Sequence, residues 1–200
     1  MLQAPYLAFI AEPNLTFGSR FLRHNVPAEM EIIMFIKCIL IVVFCLLFWG
    51  ICYKNTGNDK KNMLSFRSYP KEVQDMIRKN DSLKASVPAE INLVKVIFSN
   101  IIMFTVIFGI IGVILNYTIG FKGFADAFVY FLIFGEVLNA FDLIVIDLIW
   151  WRNSERIRFS FIPDKKMYQA PKLHIASFIR GIPTFVVPAV IVAGLLHILP

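Results

Sequence analysis

The sequence predicts an all-α polytopic membrane protein, in which four transmembrane helices form an antiparallel bundle with a short amphipathic cytoplasmic helix. The first observation is composition, because 58% of the 200 residues are apolar and the mean hydropathy is +0.67. The second is a set of four apolar windows, each as long as the roughly 20 residues that a helix needs to cross a ~30 Å hydrocarbon core. These windows are residues 32–53, 91–117, 124–151 and 177–199.

The third observation is the distribution of lysine and arginine, which alternates along the chain. There are 2 before Met30, 8 in residues 53–90, 1 in residues 119–123 and 6 in residues 152–176. The positive-inside rule places the two basic loops in the cytoplasm and both termini outside, in a cell inner (cytoplasmic) membrane. Topology in the lipid bilayer thus accounts for the net charge of +6, and nucleic acid is not an expected partner.

Residues 1–29 are expected to form an extracytoplasmic extension of a membrane domain that covers residues 30–200. Met30 lies directly before the first window and Met34 lies at its start, so a later start of the native chain is an alternative. Three cysteines repeat at heptad spacing in that window: Cys38, Cys45 and Cys52. Positions about 10 Å apart along one helix cannot share an ion, so we interpret them as packing residues and expect no metal or other cofactor.

The loop between the first two windows contains the predicted amphipathic helix. Its apolar side carries Val73, Met76 and Ile77, and bases follow at Arg78 and Lys79. Two interpretations stay open, since such a helix lies on an anionic membrane surface or packs its apolar side on the bundle.

Short sequence features characterise the second, third and fourth predicted membrane helices. The link of residues 119–123 is so short that the second and third helices are expected to be antiparallel neighbours packed on each other. Trp150 and Trp151 resemble an interfacial aromatic belt at the end of the third helix. Pro183 and Pro188 predict a kink or a break in the fourth helix.

The third window is apolar apart from a few polar residues, among them Glu136, Asn139, Asp142 and Asp147. A carboxylate at the bilayer centre costs at least ~2.5 kcal/mol, so such groups usually face a protein interior or a water-filled path. At 100° per residue, Asn139 and Asp147 share the face of Glu136, whereas Asp142 lies about 120° from Glu136.

Each of these acids has an expected partner on another helix, chosen by depth in the membrane. The expected contacts are Asp147 with Lys95 or Arg180, Asp142 with Asn100, and Glu136 with Lys37. Two hypotheses follow for the polar helix. One is a path for ions or substrate, with Glu136, Asn139, Asp142 and Asn100 as its candidates. The other is structural, with the polar groups fastening the helices together.

An enzymatic function has less support. The three histidines fall in segments that are expected to lie apart, and no zinc-protease, hydrolase, P-loop or dinucleotide motif is present. The second basic loop carries four candidates for contact with a phosphate or another anion: Arg156, Arg158, Lys172 and His174.

The run NAFDLIVIDLIWWR from Asn139 to Arg152, with Tyr168 and His174 downstream, resembles a group of small bacterial membrane proteins, some labelled ABC-transporter permease. The resemblance extends from about Met30 onward and implies a four-helix architecture and a partner ATPase. The leading hypothesis is a transport-associated or permease-like component that works as a homo-oligomer or with a partner membrane protein. The alternatives are a non-catalytic structural or accessory subunit and, third, an intramembrane enzyme.

Overall fold

A computed structural model describes residues 28–89 and 92–198. Most of the predicted extension, residues 1–27, and the predicted window ends at Ile91 and Leu199 lie outside the described residues. The chain divides into two compact units, Met1–Lys37 and Cys38–Pro200. The described part of the first unit is the beginning of the first helix, and the second unit contains every other element.

The described residues are helical and contain no strand. In chain order the α-helices are α1 (Ala28–Lys54), α2 (Asp59–Asn62), α3 (Lys71–Lys79), α4 (Leu93–Thr118), α5 (Phe124–Phe141) and α6 (Pro171–Ile198). Short 3-10 helices cover Met63–Ser68, Lys84–Ser86 and Lys165–Tyr168, and α5 continues directly into a π-helix, Asp142–Trp151. Four segments are long and apolar enough to cross a membrane: Ala28–Lys54, Leu93–Thr118, Phe124–Trp151 and Lys165–Ile198. The prediction of four such helices is confirmed.

Local signals explain where the long helices begin. The side chain of Asn92 accepts a hydrogen bond from the backbone N–H of Val94, which caps α4. The last helix starts at Pro171, several residues before the predicted Ser177. Proline suits this first position because a helix leaves the N–H there unpaired. The earlier start puts His174 on the helix instead of in the loop.

α6 is the central packing element of the apolar core that the long helices form. Both α4 and α5 approach it closely along their length. Gly135 of α5 lies against Phe185 of α6, where an added Cβ would come within 2.7 Å of the Phe185 side chain. α4 and α5, expected to pack on each other, meet through their side chains, with the ring of Phe108 5.3 Å from that of Phe131. Each of their backbones approaches α6 more extensively.

The two basic loops pack together around a second apolar core, the loop cluster. Its buried members are Met63, Phe66, Tyr69, Val73, Ile77, Leu83, Trp151, Ile157, Phe159, Ile162 and Tyr168. The Tyr69 hydroxyl donates a 2.7 Å hydrogen bond to the Ile157 carbonyl, which joins one loop to the other. Asn62, fully buried, joins them again by donating to the Arg158 carbonyl at 3.1 Å.

The loop cluster decides between the two interpretations of the amphipathic helix. Val73 and Ile77 of α3 are fully buried in it, whereas Met76 is 40% exposed. The apolar side therefore packs, although on the neighbouring loop and not on the bundle. Trp151, expected in an interfacial belt, is also buried in the loop cluster, with its ring 5.2 Å from that of Tyr69.

Candidate functional site

The π-helix places different polar residues on the same side of the third span than an α-helix would. Because each N–H in a π-helix bonds to the carbonyl five residues back, residues five apart lie closer to one side of the helix than they do in an α-helix. Burial follows this spacing: Ile146 and Trp151 are buried, whereas Ile144 and Ile149 are exposed. Asp142 and Asp147 are also five apart. They therefore share one side, which corrects the prediction from α-helical geometry that they point in different directions.

The carboxyl group of Asp147 meets the imidazole of His174 on α6. The distance between Asp147 Oδ2 and His174 Nδ1 is 2.9 Å, and the two side chains are only 15% and 7% exposed. The predicted partners Lys95 and Arg180 are both exposed instead. His174 was not predicted as the partner because it is neither a lysine nor an arginine and was expected to lie in the loop. Pro171, a favourable first residue for a helix, was the signal that could have found it.

A small cavity borders this contact. It measures about 10 Å³, and its lining includes Asp147, His174, Arg152, Tyr168 and Gln169. Arg152 donates a 3.1 Å hydrogen bond to the side-chain oxygen of Gln169. A cavity of this size has room for about one water molecule, and the polar groups around it would hydrogen-bond to that water.

A second polar contact joins α5 to α6 farther along the helix. The side-chain nitrogen of Asn139 donates to the Phe178 carbonyl at 3.2 Å and to Glu136 Oε2 at 3.3 Å. Asn139 is buried, and Gly181 of α6 lies directly against it, so that an added Cβ would overlap the amide. Glu136 and Asn139 therefore share a side, as predicted. The roles of Phe178 and Gly181 were not foreseen, because a backbone carbonyl and a missing side chain leave no polar pattern.

Asp142 lies between these two contacts and is half-buried. It is near enough to Asp147 and His174 for their charges to act on it. Asn100, its expected partner, is exposed on α4, and no hydrogen bond joins the two within residues 92–198. The pairing of Glu136 with Lys37 stays a prediction.

The four anion-contact candidates of the second basic loop have different surroundings. The Arg156 guanidinium donates to the carbonyls of Tyr53 and Thr56 at 3.2 and 3.1 Å, and it lies 3.9 Å from the centre of the Tyr53 ring. A cation suits this place, since the end of α1 presents unpaired carbonyls. The other three candidates do not share a partner with Arg156. Arg158 donates to the Pro163 carbonyl, His174 contacts Asp147, and Lys172 is exposed.

Comparison of the chain with protein-family models, with curated proteins and with solved structures finds no match. The resemblance to bacterial permease-like proteins therefore stays a prediction.

Proposed function

We propose that the chain is a small transport-associated, permease-like membrane component whose polar helix carries an ion or a substrate. One observation carries the proposal: the polar groups of the third span are buried or half-buried, with two of them bonded directly to α6. They are Glu136, Asn139, Asp142 and Asp147, together with His174 on α6. Polar groups placed inside a membrane bundle commonly mark the route of ions or substrates.

The membrane arrangement belongs to the same proposal. The contacts Asp147 with His174, Asn139 with Phe178 and Gly135 with Phe185 follow opposite chain directions on the two helices, which supports an antiparallel bundle. The basic loops support a cytoplasmic loop cluster in an inner membrane. From Cys38 to Lys54, only Ile41 and Cys45 of α1 are buried, which leaves apolar surface for lipid, a second copy or a partner membrane protein such as the membrane subunit of an ATPase complex.

A non-catalytic structural or accessory subunit is the second candidate. It is favoured by the same two contacts, because the Asp147–His174 pair and the Asn139–Phe178 hydrogen bond fasten α5 and its π-helical extension to α6. In that case the polar groups stabilise the bundle and move nothing.

Two substitutions separate the candidates: Glu136→Gln and Asp142→Asn, each a near-isosteric loss of a carboxylate. The purified proteins are reconstituted into vesicles, and the fluxes of protons, sodium and potassium are measured beside the amount of folded protein. Asp81→Asn is the matched control, because the Asp81 side chain is 90% exposed in the first basic loop. Transport predicts loss of flux at a normal protein level in either variant and full flux in the control.

The structural candidate predicts the opposite pattern, with less folded protein and no flux in the wild type to lose. A wild-type flux that both variants retain would remove the polar helix from the transport path.

A further inference from the structure

Glu136 has one carboxyl oxygen that is buried and receives no hydrogen bond from any residue that the structure describes. Its Oε2 accepts from Asn139, but its Oε1 is buried and has no hydrogen-bond partner within the described residues. Buried polar atoms in folded proteins are almost always paired, so each exception requires an explanation.

Asn139 cannot supply the missing donor. An amide nitrogen carries two hydrogens, and both are used, one by the Phe178 carbonyl and one by Glu136 Oε2. Its orientation is set by the network, because both neighbours are acceptors and a flipped amide would present an oxygen to them. Gly181 packs against the amide, which leaves no room for a side chain that would displace it.

A proton is the occupant that this oxygen fits. An ionised carboxylate with a buried, unpaired oxygen is costly, and binding a proton removes the charge. Hard metal cations need about six oxygen ligands, whereas a proton needs one. Within residues 28–89 and 92–198, no group of three or more His, Cys, Asp or Glu side chains could hold a metal ion.

Within the described contacts, no charged neighbour donates a hydrogen bond to Glu136 Oε1. Farther along the same span, Asp147 is paired with His174 of α6, and Asp142 is a second carboxyl group that forms no hydrogen bond with Glu136 within the described residues. On the elements that pack around α5, Arg180 of α6, Lys95 of α4 and Cys45 of α1 are ionisable, and none of these three is hydrogen-bonded to Glu136 Oε1. Lys37 is the basic residue that the sequence pairs with Glu136, so the test includes it.

We propose that Glu136, held by Asn139 against α6, is an exchangeable proton-binding site inside the membrane, so that the ion handled by the proposed transport function is the proton. This inference rests on that proposed function and names its substrate. The proton binds Oε1, while Asn139 keeps Oε2 and the Phe178 carbonyl in place. Asn139 thereby connects the loading of Glu136 to the backbone of α6.

The test is labelling of the full-length protein in vesicles with a hydrophobic carbodiimide. The reagent adds the O–H of a protonated carboxyl across its C=N bond, so an ionised carboxylate is not modified. Peptide mass spectrometry locates the adduct. We expect modification at Glu136 that declines as the pH is raised, falls to background in Glu136→Gln and changes in rate in Asn139→Ala. Asp81, exposed in the loop, is the control that a water-soluble carbodiimide modifies instead.

Three results would overturn the proposal: no modification of Glu136 at any pH, modification that is independent of pH, or modification that appears only in Lys37→Gln. Protection by sodium but not by choline at equal ionic strength would assign the site to a metal cation and also overturn it. The labelling does not depend on flux. Labelled Glu136 without any proton flux contradicts the transport function alone, whereas flux without labelling contradicts only the site.

Discussion

At the scale of single residues, the Asp147–His174 pair is the strongest polar contact of the candidate site. Its two side chains come from different helices, meet at 2.9 Å and are almost fully buried. Pairs of this kind are asymmetric in their energetics. Forming one gains little net stability, because both groups are desolvated, whereas removing one partner leaves a buried charge without compensation.

His174→Ala is therefore expected to lower the free energy of unfolding by about 3 kcal/mol, the low end of the range for a broken buried pair, because Asp147 is not completely buried. Chemical unfolding in detergent micelles measures the change. His197→Ala is the control, since His197 is exposed on the same helix. In the double variant Asp147→Asn/His174→Ala, part of the loss should return because the unpaired charge is gone. Losses that simply add would show that the two residues are not coupled.

At the scale of elements, the sequence predicts helices far better than helix type. The third apolar window, residues 124–151, has the same bounds as the observed span Phe124–Trp151. Hydropathy fixes such bounds because it requires only a long apolar run. Which side Asp142 faces depends instead on residues per turn, and a run of isoleucine, leucine and valine carries no mark of a π-helix. The polar residues can therefore be recognised in the sequence, whereas the neighbours of Asp142 cannot, and those predicted for it were wrong.

The contact between α5 and α6 depends on Gly135, which lets the two helices approach. An added Cβ would lie 2.7 Å from the Phe185 side chain, so Gly135→Ala should destabilise the protein by about 1–3 kcal/mol, the usual cost of overpacking. Gly194→Ala is the matched control, because nothing lies within 4 Å of a Cβ at that position of α6. Removing a helical glycine there should be neutral or stabilise by ~0.5–1 kcal/mol. Melting temperatures in detergent compare the two, and equal values would refute the close approach.

The loop cluster offers a prediction that depends on pH. Burial raises the pKa of the Tyr69 phenol, and the neighbouring Tyr168 and Asp59 raise it further. Below about pH 10, the phenol is neutral in both the folded and the unfolded chain, and its stabilisation is complete. Above that pH the unfolded chain loses the proton first, so the free energy of unfolding falls as the pH rises.

Tyr69→Phe should therefore be less stable than the wild type at neutral pH by about 1–3 kcal/mol, because the Ile157 carbonyl loses its donor. The difference should narrow above about pH 10, where only the wild type loses stability by ionising this phenol. Unfolding curves across a pH series measure both effects. Tyr117→Phe is the control, since Tyr117 is 77% exposed on α4. A difference that stays constant with pH would contradict the burial argument.

At the scale of the whole molecule, the sequence predicts the four apolar helices but not the loop cluster. The long windows can be identified by their hydropathy. The loop cluster, in contrast, is assembled from residues about 90 positions apart, such as Tyr69 and Ile157. Its apolar members are spread over two loops that also carry many polar residues, so no local pattern indicates that the two loops meet. The first residues of α4 and α6 similarly depend on single residues. Asn92 caps a backbone N–H of α4, and Pro171 lacks the N–H that would be unpaired at the start of α6.

The proposed orientation is tested by two single cysteines on opposite sides of the third span, placed in a chain from which Cys38, Cys45 and Cys52 have been removed. Lys122→Cys and Lys166→Cys suit this purpose because both positions are exposed. If the basic loops are cytoplasmic, an impermeant maleimide should label only position 122 in intact cells and should reach position 166 after permeabilisation. The reverse pattern would invert the orientation. Labelling of both positions from outside would show that Phe124–Trp151 does not cross the membrane, because it is the only candidate span between them in the described chain.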